Sequence, residues 1–312
     1  MSAVRPYQPL DIVRDARGLR EYLEAVERRL DELFAGGFGA VDLAAQQALR
    51  AGGKRLRPLL AFLSSPPGQD PPVAAGVAVE LVHLASLVHD DMLDGATVRR
   101  GAPSTWNEFG QRVALASGDR AFALAFRELA GEDRLLDLAA LAQTALALAQ
   151  GEALQRELRF DPQTSAEAQL RLCSLKTGSL FSAACRLGAR GASGDSMGEY
   201  GMALGIAFQI IDDVLDCDGE ADETGKAPGT DLREGIPTLP LLFAAERDET
   251  VRAALAGGPV EGVLERVAES GALARAREVA RGYALEARSH LNGAAHRTEL
   301  EALTQAVVER KR

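Results

Sequence analysis

The 312-residue chain is poor in aromatic residues, which make up 5% of it, and holds only three cysteines. Cys173, Cys185 and Cys217 form no CxxC pair and are odd in number, so neither a zinc site nor a disulfide framework is indicated. Positive charge is scarce as well. The 45 acidic residues outnumber the 35 basic ones and leave a formal net charge of −10, the wrong sign for a protein that binds nucleic acid. No uninterrupted run of about 18 apolar residues suggests an integral membrane segment. No apolar signal-peptide core follows Met1, and the expected location is cytoplasmic. Runs of alternating strand-type residues are missing too. Gly53-Lys54 lacks both the spaced glycine before it and the hydroxyl residue after it that a P-loop requires.

What the chain has instead is alanine and leucine, within a hydrophobic share of 46%. Both residues favour helices. Apolar residues recur at spacings of three and four from Val73 to Asp94, with Val77, Leu81, Leu84 and Val88 in register. Alanines fill much of the remaining circumference, which predicts a helix buried nearly all round. The pattern also predicts helices across Gln111–Leu129, Leu135–Leu158, Ser165–Leu187, Met197–Asp216 and Ala272–Leu291. The breakers are short: 36–39, 64–72 and 160–162. No break in composition divides the chain, so one all-α domain over 1–312 is expected. The longest irregular stretch, 217–237, follows an acidic helix end, a placement that suits a lid over a charged site.

Two helices end alike. One reads Asp90-Asp91-Met92-Leu93-Asp94 and the other Asp212-Asp213-Val214-Leu215-Asp216. In each, the first and last aspartates are four apart on one helix face, with Cβ atoms roughly 6 Å apart. Like charges at that spacing repel, and the helix macrodipole disfavours anions at a C-terminus. A cation relieves both effects. Oxygen-only ligands suit a hard divalent ion, and Mg²⁺ held by one or two carboxylates shares its shell with substrate phosphates.

The cationic counterpart is Gly52-Gly53-Lys54-Arg55-Leu56-Arg57-Pro58, joined by Arg99-Arg100 five residues after Asp94. Arginine presents a planar fork to phosphate oxygens and lysine a point charge. Together with the two carboxylate motifs, these blocks describe a site for at least one diphosphate.

In these motifs the chain resembles the trans-polyprenyl (isoprenyl) diphosphate synthase family. Further matching blocks are Lys176-Thr177-Gly178, Phe208-Gln209 and Asp231-Leu232-Arg233-Glu234-Gly235. The resemblance implies a single large helical bundle of the isoprenoid synthase type with a central apolar cavity, and commonly a homodimer. It implies an isopentenyl diphosphate site at Lys54, Arg57, His83 and Arg100. It assigns Mg²⁺ to Asp90, Asp94 and Asp212, with Asp91, Asp213 and Asp216 in support. Arg99, Lys176, Thr177, Gln209 and Lys226 are the implied contacts to the allylic diphosphate or its developing cation. His83, two turns before Asp90, shares its face, and His89 is placed to support Asp90. One departure stands out: many relatives carry lysine after Arg-Glu-Gly, where this chain has Ile236-Pro237.

The implied reaction is ionisation of an allylic prenyl diphosphate followed by attack of isopentenyl diphosphate. A class I terpene cyclase shares the fold and the first motif but normally carries a different second one. A subunit of a heteromeric synthase is the other alternative, although non-catalytic partners usually lose aspartates and all six are present. In this family large aromatic residues four and five before the first motif close the tail pocket early. Ser86 and Ala85 stand there, which predicts a product longer than fifteen carbons.

Overall fold

Helix-favouring residues with few interior breakers give an almost wholly helical chain. The computed structural model describes residues 13, 16–130, 135–218 and 228–310. The first helices are α1 (Leu19–Leu33), α2 (Ala40–Arg50), α3 (Leu56–Ser64) and α4 (Val73–Leu93). A two-residue hairpin follows, β1 (Val98–Arg99) paired antiparallel with β2 (Ala102–Pro103). The sequence pattern held no hint of it, because two residues are too few for an alternation to register. Next come α5 (Thr105–Phe109), α6 (Gln111–Ala130), α7 (Leu135–Leu158), α8 (Ala166–Cys173) and α9 (Ser179–Ala189). The chain then continues as α10 (Gly194–Cys217), α11 (Thr230–Glu234), α12 (Leu239–Ala245), α13 (Glu249–Leu255), α14 (Val263–Glu269), α15 (Ala272–Ser289) and α16 (Arg297–Glu309).

Helix α4 is the predicted buried helix. Its residues 75–82, Glu80 among them, are all buried, as are Leu84, Ala85 and Val88. Among the described residues it alone is long and apolar enough to cross a membrane, and most of it lies inside the bundle. It packs most extensively on α6, while α10 packs on α9 and α15. One apolar core gathers α1, α3, α4, α6 and α9 around residues such as Tyr22, Leu59, Leu81 and Phe181. A second gathers the lower half of α10 with α12 to α15. Tyr283 touches both.

The stretch read as one helix from Ser165 to Leu187 is interrupted. Residues Ser174–Gly178 form a π-helical turn between α8 and α9. Such turns insert one extra residue and are frequent at functional sites. This one carries Lys176 and Thr177. It is pressed against α10, where a Cβ on Gly205 would lie 2.7 Å from the Gly178 Cα, so only glycine permits the approach.

Candidate active site

The inner face of α4 carries polar residues about one turn apart: Glu80, His83, Ser86 and Asp90. Burial costs a carboxylate its hydration, and this pushes the Asp90 carboxyl up to about 6. The Lys176 ammonium works against that rise, while Glu152 and Asp94 add to it. Asp94, the C-cap of α4, is shifted upward for the same reasons, burial first and then Glu152. These two carboxylates are therefore short of solvation, and the nearby cations do not make up for it. Asp91 differs. It is buried and accepts from Arg99 Nε at 2.8 Å, so both residues of that pair are engaged within the protein.

The π turn joins the two aspartate motifs. Lys176 Nζ donates to Glu152 Oε2 and to Gln155 Oε1, each at 2.9 Å, on the side of the first motif. Its neighbour Thr177 donates through Oγ1 to Gln209 Oε1 at 2.6 Å, and Gln209 Nε2 donates to Asp213 Oδ1 at 2.8 Å. Adjacent residues thus reach in opposite directions, one toward α7 and the other toward α10.

On α10, Asp212 Oδ1 receives Arg310 Nη1 at 2.7 Å. The same guanidinium lies over the Phe208 ring, 5.3 Å from its centroid. Asp213 is shifted upward by burial, with Asp212 and Asp216 adding to the rise. Asp216 caps the short helix α11 by accepting from the Thr230 and Asp231 amides at 3.1 and 3.0 Å. Of the six aspartates, Asp91, Asp213 and Asp216 are thus tied to neighbours by structural hydrogen bonds. Among the described residues, no three metal-ligating side chains converge on one point. The donor set still fits a hard divalent cation: only oxygens, carboxylates short of solvation, and a guanidinium standing at Asp212. Substrate phosphate oxygens would complete the shell.

The cationic blocks meet above Asp212. Arg57 Cζ lies 5.3 Å from the Phe181 ring centroid, and its Nε is buried with no hydrogen-bond partner among the described residues. Desolvation lowers its guanidinium to about 10, with Glu80 opposing that shift, Arg100 adding to it and Asp212 opposing it. His83 is held well below the usual imidazole range by burial and by Arg57, Arg100, Arg55 and Arg99. It is neutral at physiological pH and retains one N–H to donate. Lys54 is exposed at the mouth of the cluster.

His89 does not support Asp90. Its ring turns to α6, where Nε2 lies 3.4 Å from the Leu115 carbonyl and the ring stands 6.0 Å from Phe122. Lys226 lies outside the described residues, as do residues 219–227 of the stretch read as a lid; its later part includes α11. Ile236 sits in a turn, its amide donating to the Asp231 carbonyl at 2.8 Å. Sequence reasoning missed Glu80, Glu152, Gln155, Phe181 and Arg310. Glu80 was findable, as an acid three residues before His83 in an otherwise apolar helix.

A family model described as polyprenyl synthetase matches residues 40–260. Nonaprenyl diphosphate synthase of Mycobacterium tuberculosis is 41% identical over 261 residues, or 77% of each chain. Heptaprenyl diphosphate synthase component 2 of Geobacillus stearothermophilus is 37% identical over 89% of each chain. A polyprenyl synthase from Caulobacter crescentus, solved in complex with calcium and isoprenyl diphosphate, superposes with a TM-score of 0.89. It is 31% identical, with 99% of both chains covered.

Proposed function

The chain belongs to the polyprenyl synthetase family, and from that premise we propose that it extends an allylic prenyl diphosphate with isopentenyl diphosphate to a trans product longer than fifteen carbons. The observation that carries the reading is the π turn. Lys176, bonded to Glu152 and Gln155 on α7, bears electrostatically on Asp90 of α4. Thr177 bonds to Gln209 beside Asp213 on α10, with a guanidinium cluster near them. Relatives that make nonaprenyl and heptaprenyl diphosphates favour a long product.

In this reading Arg57, Arg100, His83 and Lys54 hold the diphosphate of isopentenyl diphosphate. Asp90, Asp94 and Asp212 hold Mg²⁺, which when bound supplies charge neutralisation to the leaving diphosphate. Lys176 holds the allylic diphosphate from the protein side. As the allylic carbon–oxygen bond breaks, the Thr177 hydroxyl and the Gln209 amide present fixed dipoles to the developing cation. Because Gln209 donates to Asp213, its carbonyl oxygen is oriented toward Thr177 and the cavity before substrate arrives. The isopentenyl double bond attacks, and the proton lost afterwards goes to the departed diphosphate. The apolar walls exclude water that would capture the cation as an alcohol.

We further read one catalytic domain over the whole chain, a cytoplasmic setting and a homodimer. Leu115 on α6 and Leu135, Leu136 and Leu146 on α7 are exposed large apolar residues, a surface suited to a second copy. The component 2 relative keeps a heteromeric assembly open as the alternative, on the same surface.

The test is incubation of the isolated chain with isopentenyl diphosphate, a geranyl or farnesyl primer and Mg²⁺, followed by chromatography. Longer diphosphates that vanish with chelator are expected. Cyclised hydrocarbon would point to a cyclase, and absence of product to an obligatory partner subunit. With activity in hand, Arg57→Ala is expected to raise the KM for isopentenyl diphosphate about 10- to 100-fold, the loss of one or two charge-assisted hydrogen bonds. The KM for the primer should change far less. Equal effects on both substrates would mean that the two diphosphate sites are assigned the wrong way round.

A further inference from the structure

A buried acid sits at the centre of the cationic cluster, where a bound anion would be repelled by it. Glu80 is 5% exposed, and its Oε1 accepts from Arg55 Nη1 at 2.8 Å. Arg55 also bonds Glu27 on α1, through Nη2 at 3.1 Å, so its own charge is spent inside the protein. Its guanidinium stays protonated: desolvation works to lower it, but Glu27 and Glu80 together hold it above the ordinary arginine value. The arginines left to face substrate are Arg57 and Arg100. For both, desolvation disfavours the charged form, and Glu80 is the foremost group opposing that loss.

The backbone is arranged around this acid. A Cβ on Gly53 would meet Arg55 Nη1 at 2.8 Å, Arg100 Nη1 at 3.3 Å and Glu80 Oε1 at 3.8 Å, so three charged groups converge on the space that glycine leaves. Arg55 and Arg100 both have left-handed backbones, with φ of 46° and 53°. That conformation is uncommon for a residue with a side chain and costs on the order of 1 kcal/mol or more, and it persists where surroundings over-determine it. Two of the four such residues among those described stand beside Glu80.

We propose that Glu80 is a positioning residue for the isopentenyl diphosphate site, a permanent counter-ion that holds Arg55, Arg57 and Arg100 converged before the diphosphate arrives. This rests on the proposed function and assigns that site a part no substrate contact would reveal. Cations gathered without an anion repel and splay, and ordering them at the moment of binding would weaken affinity. Glu80 removes that step. Its own repulsion of the diphosphate is limited because Arg55, shared with Glu27, pairs with it directly and Arg57 and Arg100 offset the remaining charge.

The test is Glu80→Gln, which keeps an acceptor for Arg55 and removes the charge, beside Glu80→Ala, which removes both. Isopentenyl diphosphate is titrated calorimetrically into chelator-treated protein, and KM is measured separately for each substrate. At least tenfold weaker binding is expected for the alanine variant and an intermediate loss for the glutamine variant. The KM for the allylic primer should stay within about twofold of wild type in both. Unchanged or tighter uptake of isopentenyl diphosphate would overturn the proposal, since a merely repulsive acid gives tighter binding when neutralised. Equal losses for both substrates would overturn it as well, reducing Glu80 to a general packing role. Wild-type protein that takes up no isopentenyl diphosphate would instead overturn the assignment of the whole cluster.

Discussion

Asp90→Asn is expected to lower kcat by at least about a hundredfold while making the metal-free protein more stable. The first effect is the scale of losing an electrostatic contact at the reacting centre. The second follows from burial. An unfolded aspartate titrates near 3.9, and the folded one is raised to about 6. Between those values the folded state binds more protons than the unfolded state, so stability falls as pH rises from about 4 to 6 and stays lower above. The cost at neutral pH is on the order of 2 kcal/mol, allowing for partial screening of a side chain that is not fully enclosed. Asparagine removes it, and a rise of a few degrees in Tm is expected in chelator at pH 8. The wild type should regain that stability when Mg²⁺ and a diphosphate are added, and the variant should not. Asp212→Asn is the contrast. It loses the ion pair to Arg310 and should gain no stability, although its kcat should also collapse. Near-normal turnover in the Asp90→Asn enzyme, or a lower Tm in chelator, would contradict the role given to this carboxylate.

The parts of the molecule that were legible in the sequence are those where local chemistry repeats. Helices such as α7 announced both ends through periodicity and breakers. The aspartate and arginine blocks were legible because charge at helix ends is costly without a ligand. What escaped was set by tertiary approach. The π turn at Ser174–Gly178 looks like ordinary helix in sequence, since the extra residue leaves the apolar period nearly intact, and only its packing against Gly205 reveals it. His89 adjoins Asp90 in sequence, but helical geometry turns neighbours about 100° apart, and its ring goes to α6 instead. Arg310 lies 98 residues from Asp212, and no local pattern could have paired them. Glu152 and Gln155 were overlooked because an i, i+3 polar pair on a helix is most often solvated. Here Lys176 closes over them.

Ser86→Phe is expected to shorten the main product by one or more five-carbon units and leave the first condensation within a few-fold of wild type. Helix α4 carries no aromatic residue between Val73 and Asp90, a span of about 25 Å at the rise of an α-helix. A prenyl tail running past Ser86 along this helix therefore meets no bulky Phe, Tyr or Trp ring, although His83 and Glu80 stand on the same face. The structure separates the two small residues next to the first motif. Ser86 lies one turn before Asp90 on the same face and is partly open, its hydroxyl bonded within the helix to the His83 carbonyl at 2.9 Å. Ala85 shares the face of His89, which is pressed so closely on α6 that a Cβ at Gly118 would lie 2.2 Å from the His89 ring. Ala85 itself is fully buried. A phenylalanine at 86 thus enters the cavity, where it blocks the tail without disturbing the helix packing. A phenylalanine at 85 overfills the α4–α6 contact, and overpacking of that kind costs about 1–3 kcal/mol. Ala85→Phe should accordingly lower the Tm more than Ser86→Phe does, and the double variant should combine a short product with the lower Tm. The product ladder, resolved by chain length with a farnesyl primer, and a melting curve for each variant decide the matter. A wild-type enzyme that stops at fifteen carbons would show that growth is arrested before the tail reaches this wall. An unchanged ladder in Ser86→Phe would show that the tail runs along a different face of the bundle.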